Sequence, residues 1–176
     1  YGHIGKEIAK RAKAFKMNIS SLVRNIDKYK SNKYINFLSI KNIKKEIKKF
    51  DYLIIACPLN DETKNLINFN LMKNMNKNSV IINIARGPII NEADLYKVLK
   101  NKIIRAAVID VWYNYPKNSV TNKLYPSKYP LHKLDNITFS PHSSAWSSQL
   151  WDRRFKFVCE NLENLYNNKR IKNLVN

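Results

Sequence analysis

Short runs of branched apolar residues alternate with amphipathic stretches along almost the whole chain, and that alternation limits the fold more than any other feature. Apolar runs predict strands over 18–23, 52–56, 80–85, 105–111 and 136–140. Between them, helical periodicity predicts helices over 40–50, 70–74 and 92–99, with Asn91 as N-cap of the last, and a long helix over 147–167 closes the chain. No element is assigned over 24–39, and a Pro/Tyr/Lys-rich loop is expected over 112–134. Strands alternating with helices mean βαβ units, hence an α/β fold with a doubly wound parallel sheet of Rossmann type. Ligands of such sheets bind at the carboxyl ends of the strands. Asn60, Arg86, Asp110 and His142 all fall at or just past such ends.

The chain opens on Tyr1-Gly2-His3-Ile4-Gly5, after which Ile4, Ile8, Ala12 and Phe15 mark one helix face. Glycines leading into a helix and then a strand match the second half of a dinucleotide fingerprint, in which backbone and helix N-terminus approach a pyrophosphate. A plain turn at a helix start is the other reading of these two glycines. An opening inside such a motif is expected of a fragment whose N-terminus lies upstream.

Composition narrows the function classes. The 32 basic and 13 acidic side chains leave a formal net charge of +19. A nucleic acid or another anionic surface is one explanation. The lysines are spread along the chain, however, and no aromatic-basic nucleic-acid motif accompanies them, so a lysine-biased coat on an ordinary fold is the preferred reading. Thus 41–49 reads as an amphipathic helix with a solvated lysine face. Apolar runs such as 53–57 and 80–84 are far too short to span a membrane. Two cysteines do not make a disulfide framework, and a reducing, cytoplasmic setting is expected. No metal site is expected.

Five motifs then occur in one order: Gly2-His3-Ile4-Gly5; Pro58-Leu59-Asn60-Asp61-Glu62-Thr63-Lys64-Asn65-Leu66-Ile67; Asn83-Ile84-Ala85-Arg86-Gly87-Pro88; Asp110-Val111; and Ser140-Pro141-His142. Together they resemble the NAD-binding domain of the D-isomer-specific 2-hydroxyacid dehydrogenases. The resemblance implies a dinucleotide-binding domain over 1–143 and, over 144–176, a helix and tail returning to a substrate domain absent from the chain. It implies an NAD(P)-dependent dehydrogenase acting on a small 2-oxo or 2-hydroxy acid, a homodimer, and an isolated fragment that is inactive. Arg86 matches the family's carboxylate-binding Arg, and a guanidinium is a fixed fork suited to that task. His142 matches the general acid–base. Cofactor contacts are implied at Gly2, His3, Ile4, Gly5, Pro58, Thr63, Ala85, Arg86, Asp110, His142 and Ser144.

The sequence departs from the family at two places. The Glu that normally holds the catalytic His would stand five residues after Asp110; Tyr115 stands there, followed by Pro116. Tyr115 is therefore read as a neutral partner of His142, as a substrate contact, or as a mark of lost catalysis. The last of these suits an alternative role as a cofactor-sensing interaction protein of the corepressor kind. At the end of the second fingerprint strand, where an acid selects NAD, the chain has Val23-Arg24. Arg24 suits a 2′-phosphate and tilts the choice between NAD and NADP toward NADP.

Overall fold

The computed structural model describes residues 1–29, 33–116 and 124–173. The chain divides into two compact units, Tyr1–His142 and Ser143–Asn176. Residues 117–123 of the expected loop and 174–176 of the tail lie outside the described residues.

The first unit begins with helix α1 (His3–Ala14), strand β1 (Ile19–Val23) and strand β2 (Ile35–Ser39). Helix α2 (Ile43–Glu46) follows, flanked by 3-10 turns at Ile40–Asn42 and Ile47–Lys49. Then come β3 (Tyr52–Ile55), α3 (Phe69–Met72), β4 (Val80–Asn83), α4 (Glu92–Lys100), β5 (Ala106–Ile109) and β6 (Ile137–Phe139). All pairing is parallel, as expected. β1 pairs with β2, and β3-β4-β5-β6 form a second sheet in that order. Among the described residues, β1 and β3 are not joined in a single sheet. In the doubly wound order another strand stands between those two edges.

Two elements differ from expectation. β2 has no predicted counterpart, because its five residues run directly into a 3-10 turn capped by Ser39, with no loop to mark its end. The expected helix over 40–50 is broken into α2 and two 3-10 turns. Ile40, Ile43 and Ile47 are β-branched, and lysines stand four apart at 41/45, 44/48 and 45/49. Both features weaken regular α-helix. Ile43 and Ile47 still reach the core.

Alternation within the four-stranded sheet buries one face. Leu53, Ile55, Ile81, Asn83, Ala107 and Ile109 are buried, whereas Tyr52, Ile54 and Val108 are exposed. Leu71 and Met72 of α3 and Leu95, Val98 and Leu99 of α4 share the buried cluster. Each such side chain contributes ~1.5–3 kcal/mol relative to exposure. α4 is capped as expected: the Asn91 side chain accepts the Asp94 N–H at 3.1 Å. On α1 only Ala9 is buried, and Ile4 and Phe15 stand exposed.

The register lines up the strand ends. Ile55 pairs with Asn83, Asn83 with Ile109, and Ile109 with Phe139. The loops after β3, β4, β5 and β6 therefore leave the sheet from one level.

The second unit is built on helix α5 (Leu150–Tyr166). Trp151, Phe155, Val158, Leu162 and Leu165 form an exposed apolar stripe along it. Its tail folds back locally, with Lys172 N–H bonded to Asn161 Oδ1 at 3.0 Å and Lys172 Nζ paired with Glu160 at 3.0 Å. That ammonium holds the Glu160 carboxyl below its ordinary value. No helix among the described residues is long and apolar enough to cross a membrane.

Candidate active site

The four strand exits are tied together by a short series of local devices. After β3 the chain knots around Thr63. Its hydroxyl donates to the Pro58 carbonyl at 2.7 Å and accepts the Asn60 N–H at 2.8 Å, while Thr63 N–H donates to Asn60 Oδ1 at 3.0 Å. Thr63 and Pro58 thus shape this loop, and Glu62 projects from it. Cys57, at the start of the loop, is half-buried, and burial pushes its thiol above the ordinary value, away from the reactive thiolate. Further on, Asn65 N–H donates to the Pro88 carbonyl at 2.9 Å and Ile67 N–H to the Ile89 carbonyl at 3.1 Å. These bonds join the β3 loop to the turn after β4.

After β4, Asn83 acts as a template. It is 1% exposed. Its Oδ1 accepts the Ala85 N–H at 3.0 Å and its Nδ2 donates to the Arg86 carbonyl at 3.0 Å. The backbone of Ala85 and Arg86 is fixed from below, while the Arg86 side chain stands exposed, its Nη1 donating to the Ala85 carbonyl at 2.6 Å. Gly87 comes next. A Cβ there would overlap the Trp112 carbonyl group and lie 3.1 Å from the Tyr113 nitrogen. Two strand exits touch backbone to backbone at this point, and only glycine fits.

After β5, Asp110 is buried, and its carboxylate accepts the Ser140 hydroxyl at 2.5 Å, which joins the exits of β5 and β6. Trp112 Nε1 donates to the Ser140 carbonyl at 3.0 Å. Trp112 N–H donates to the Tyr115 hydroxyl oxygen at 2.9 Å. The Tyr115 ring lies 5.6 Å from the His142 ring, centroid to centroid. Beside it, Tyr113 donates to the Ile90 carbonyl at 3.1 Å. Burial, reinforced by the Glu92 carboxylate, raises its phenol well above the ordinary value, so it stays a neutral structural donor.

After β6, His142 sits at φ 58°, a left-handed conformation uncommon for a residue with a side chain. A cavity of about 440 Å³ adjoins this corner, lined by Trp112, Tyr115, Pro116, Phe139 and Pro141 among others.

The structure thus brings together Arg86, Gly87, Trp112, Tyr115 and His142 through successive contacts across neighbouring loops. The motif over 83–88 contains Asn83 and Gly87, but the sequence by itself does not show their structural roles. A polar residue ending the run Val80-Ile81-Ile82-Asn83 was the available signal for the first. Ser144 belongs to the second unit and is exposed.

A separate group gathers near α1. Its first helical bond runs from Lys6 N–H to the Gly2 carbonyl at 2.9 Å, so the N–H groups of His3, Ile4 and Gly5 meet no helical carbonyl. No side chain caps this end, and the first turn holds no acid. A Cβ at Gly2 or Gly5 would meet nothing within 4 Å. Open backbone, free N–H groups and the absence of negative charge fit an anionic pyrophosphate. At the exit of β1, Arg24 Nη1 lies 3.1 Å from Glu62 Oε2 of the β3 loop.

Residues 1–144 match the sequence profile of the D-isomer specific 2-hydroxyacid dehydrogenase, NAD binding domain. The chain belongs to this family. It is 32% identical over 178 residues to a D-3-phosphoglycerate dehydrogenase of Methanocaldococcus jannaschii, covering 99% of the chain and 32% of that protein. It is 34% identical over 161 residues to a glyoxylate reductase of Pyrococcus horikoshii, covering 92% of the chain and 45% of that protein. Among solved structures it is similar to the acyclic imino acid reductase Bsp5 in complex with NADPH and D-Arg. There the TM-score is 0.80 and the identity 29%, covering 99% of the chain and 51% of the reductase. The chain spans about a third to a half of the length of these proteins.

Proposed function

We propose that the chain is the cofactor-binding half of an NAD(P)-dependent D-2-hydroxyacid dehydrogenase that interconverts a small 2-oxo acid and its 2-hydroxy acid. The observation that carries this reading is the convergence of Arg86, Tyr115 and His142 on the neighbouring exits of β4, β5 and β6. Tyr115, at the position where the resemblance puts Glu, supports it as a hydrogen-bonding side chain whose ring lies 5.6 Å from that of His142. When bound, the reduced nicotinamide supplies the hydride.

The residues of the chain do the rest. Arg86, on a turn templated by Asn83, presents its guanidinium to the substrate carboxylate as a bidentate donor. His142, as imidazolium, gives its proton to the carbonyl oxygen as that oxygen becomes an alkoxide, and takes it back in the oxidative direction. Tyr115 is a positioning residue. Its oxygen is held by the Trp112 N–H, so the ring against His142 is fixed by the backbone of another strand exit. Asp110, through Ser140, fixes the loop that carries His142. Gly2, His3, Ile4 and Gly5 receive the pyrophosphate, and Pro58 and Ala85 border the cofactor. The same reading makes the whole protein a cytoplasmic homodimer, on the family's pattern.

A cofactor-sensing role without turnover is the second reading. The absence of a carboxylate at Tyr115 favours it, and the retained Arg86 and His142 oppose it. The test is the pH profile of 2-oxo acid reduction by the full-length protein and by Tyr115→Glu. A carboxylate beside an imidazole favours the charged ring and raises its pKa by about 1–3 pH units. The imidazolium is the form that donates, so the alkaline limb of the variant should move up by that amount. An unmoved limb would place Tyr115 away from the proton donor. Cofactor binding with no reduction by either protein would favour the sensor.

A further inference from the structure

The exit of β1 is the place where a dinucleotide-binding fold reads the adenosine ribose, by a carboxylate for a 2′-hydroxyl or by a cation for a 2′-phosphate. The chain has no acid there, only Val23 and Arg24. In space it has both charges, because Glu62, 38 residues away, reaches Arg24 at 3.1 Å.

Resting on the dehydrogenase reading above, we infer that Glu62 is a cofactor-specificity residue, the carboxylate that the exit of β1 lacks, supplied by the β3 loop. The presentation of Glu62 is built in. The knot of Pro58, Asn60 and Thr63 uses backbone groups and the Asn60 and Thr63 side chains, leaving the Glu62 carboxylate free to face Arg24. The backbone on either side of Arg24 is anchored. Val23 is 5% exposed, and the Asn25 side chain accepts the Asp27 N–H at 2.9 Å.

The two side chains are 72% and 67% exposed, so their pairing is weak and exchangeable. A dianionic 2′-phosphate can take Arg24 only in competition with Glu62 and against its negative charge. A neutral 2′-hydroxyl meets no such opposition and finds in Glu62 an acceptor already oriented by Arg24. Arg24 alone would favour NADP; the pair lowers that preference and lets NAD compete. Glu62 therefore sets the balance between the two cofactors.

The experiment is equilibrium binding of NADH and NADPH to the full-length protein, followed by nicotinamide fluorescence, for wild type, Glu62→Gln, Arg24→Ala and the double variant. Glu62→Gln should tighten NADPH and weaken NADH, changing their ratio by about tenfold, since each charge-assisted contact is the stronger kind of hydrogen bond. Arg24→Ala should weaken NADPH far more than NADH. In the Arg24→Ala background the gain in NADPH affinity from Glu62→Gln should shrink, because the competition for Arg24 is gone and only relief of charge repulsion is left. Equal changes for both cofactors, or an NADPH gain that is undiminished without Arg24, would overturn the inference while leaving the dehydrogenase reading intact. Should wild type bind neither cofactor, both would fall. A circular dichroism spectrum matching wild type certifies each variant, and Glu62→Ala replaces Glu62→Gln if that variant does not fold.

Discussion

Replacing His142 with Asn in the full-length protein should lower the rate of 2-oxo acid reduction by ~10²–10⁴, the range that a positioned general acid supplies. Asn is the informative replacement because His142 sits at φ 58°. Asn tolerates that left-handed conformation better than most residues, so the loop after β6 keeps its path while the titrating ring is lost. Cofactor affinity should fall far less than turnover, because the helix start at α1 and the exit of β1 are untouched. Stopped-flow reduction and a separate binding titration check the two quantities. Parallel losses in both would make His142 a cofactor contact rather than the proton donor.

Gly87→Ala should be almost as damaging, although residue 87 meets no reacting group. The added Cβ would overlap the Trp112 carbonyl group, which is backbone and has little freedom to yield. The φ of Gly87 lies outside the left-handed region, so the demand for glycine is one of space alone. Relief requires the exits of β4 and β5 to separate. That moves Arg86 on one side and, through the Trp112 N–H, Tyr115 on the other. An ångström of misplacement at such a site costs about 10² in rate. Overpacking also costs ~1–3 kcal/mol of stability. A denaturation midpoint and kcat/KM measured on one preparation separate the effects. Wild-type kinetics in Gly87→Ala would mean that the two exits are free to move apart.

The extent to which the sequence reveals this arrangement follows from the range of the interactions. Strand positions and the Asn91 cap depend on neighbouring residues, and they were legible. Arg86 and His142 each follow a strand in a motif with its own residue pattern, and the structure places both at strand exits. Tyr115 was found by counting from Asp110, but its ring contact with His142 depends on how two loops meet. β2 escaped notice because nothing punctuates its passage into the next turn. The break in the helix over 40–50 was hidden by good apolar spacing: Ile43 and Ile47 do reach the core, while the surrounding lysines and branched residues spoil the regular hydrogen bonding. Asn83 ends an apolar run and looks like a strand terminus, and its work is visible only when Ala85 and Arg86 fold back over it. Gly87 and Glu62 depend on residues from other loops, Trp112 for one and Arg24 for the other. Both stand in motifs, but a linear pattern carries no trace of those contacts.

The proposed function requires hydride transfer from the bound nicotinamide to a 2-oxo acid, with His142 as the proton source. The most direct measurement is a single turnover. Full-length protein loaded with one equivalent of NADH or NADPH is mixed with each of a panel of 2-oxo acids, and loss of the reduced nicotinamide is followed alongside chiral analysis of the product. Oxidation of the bound cofactor by at least one acid, with formation of the D-2-hydroxy acid, is the expected result. Reduced cofactor that stays bound and unoxidised with every acid would contradict it.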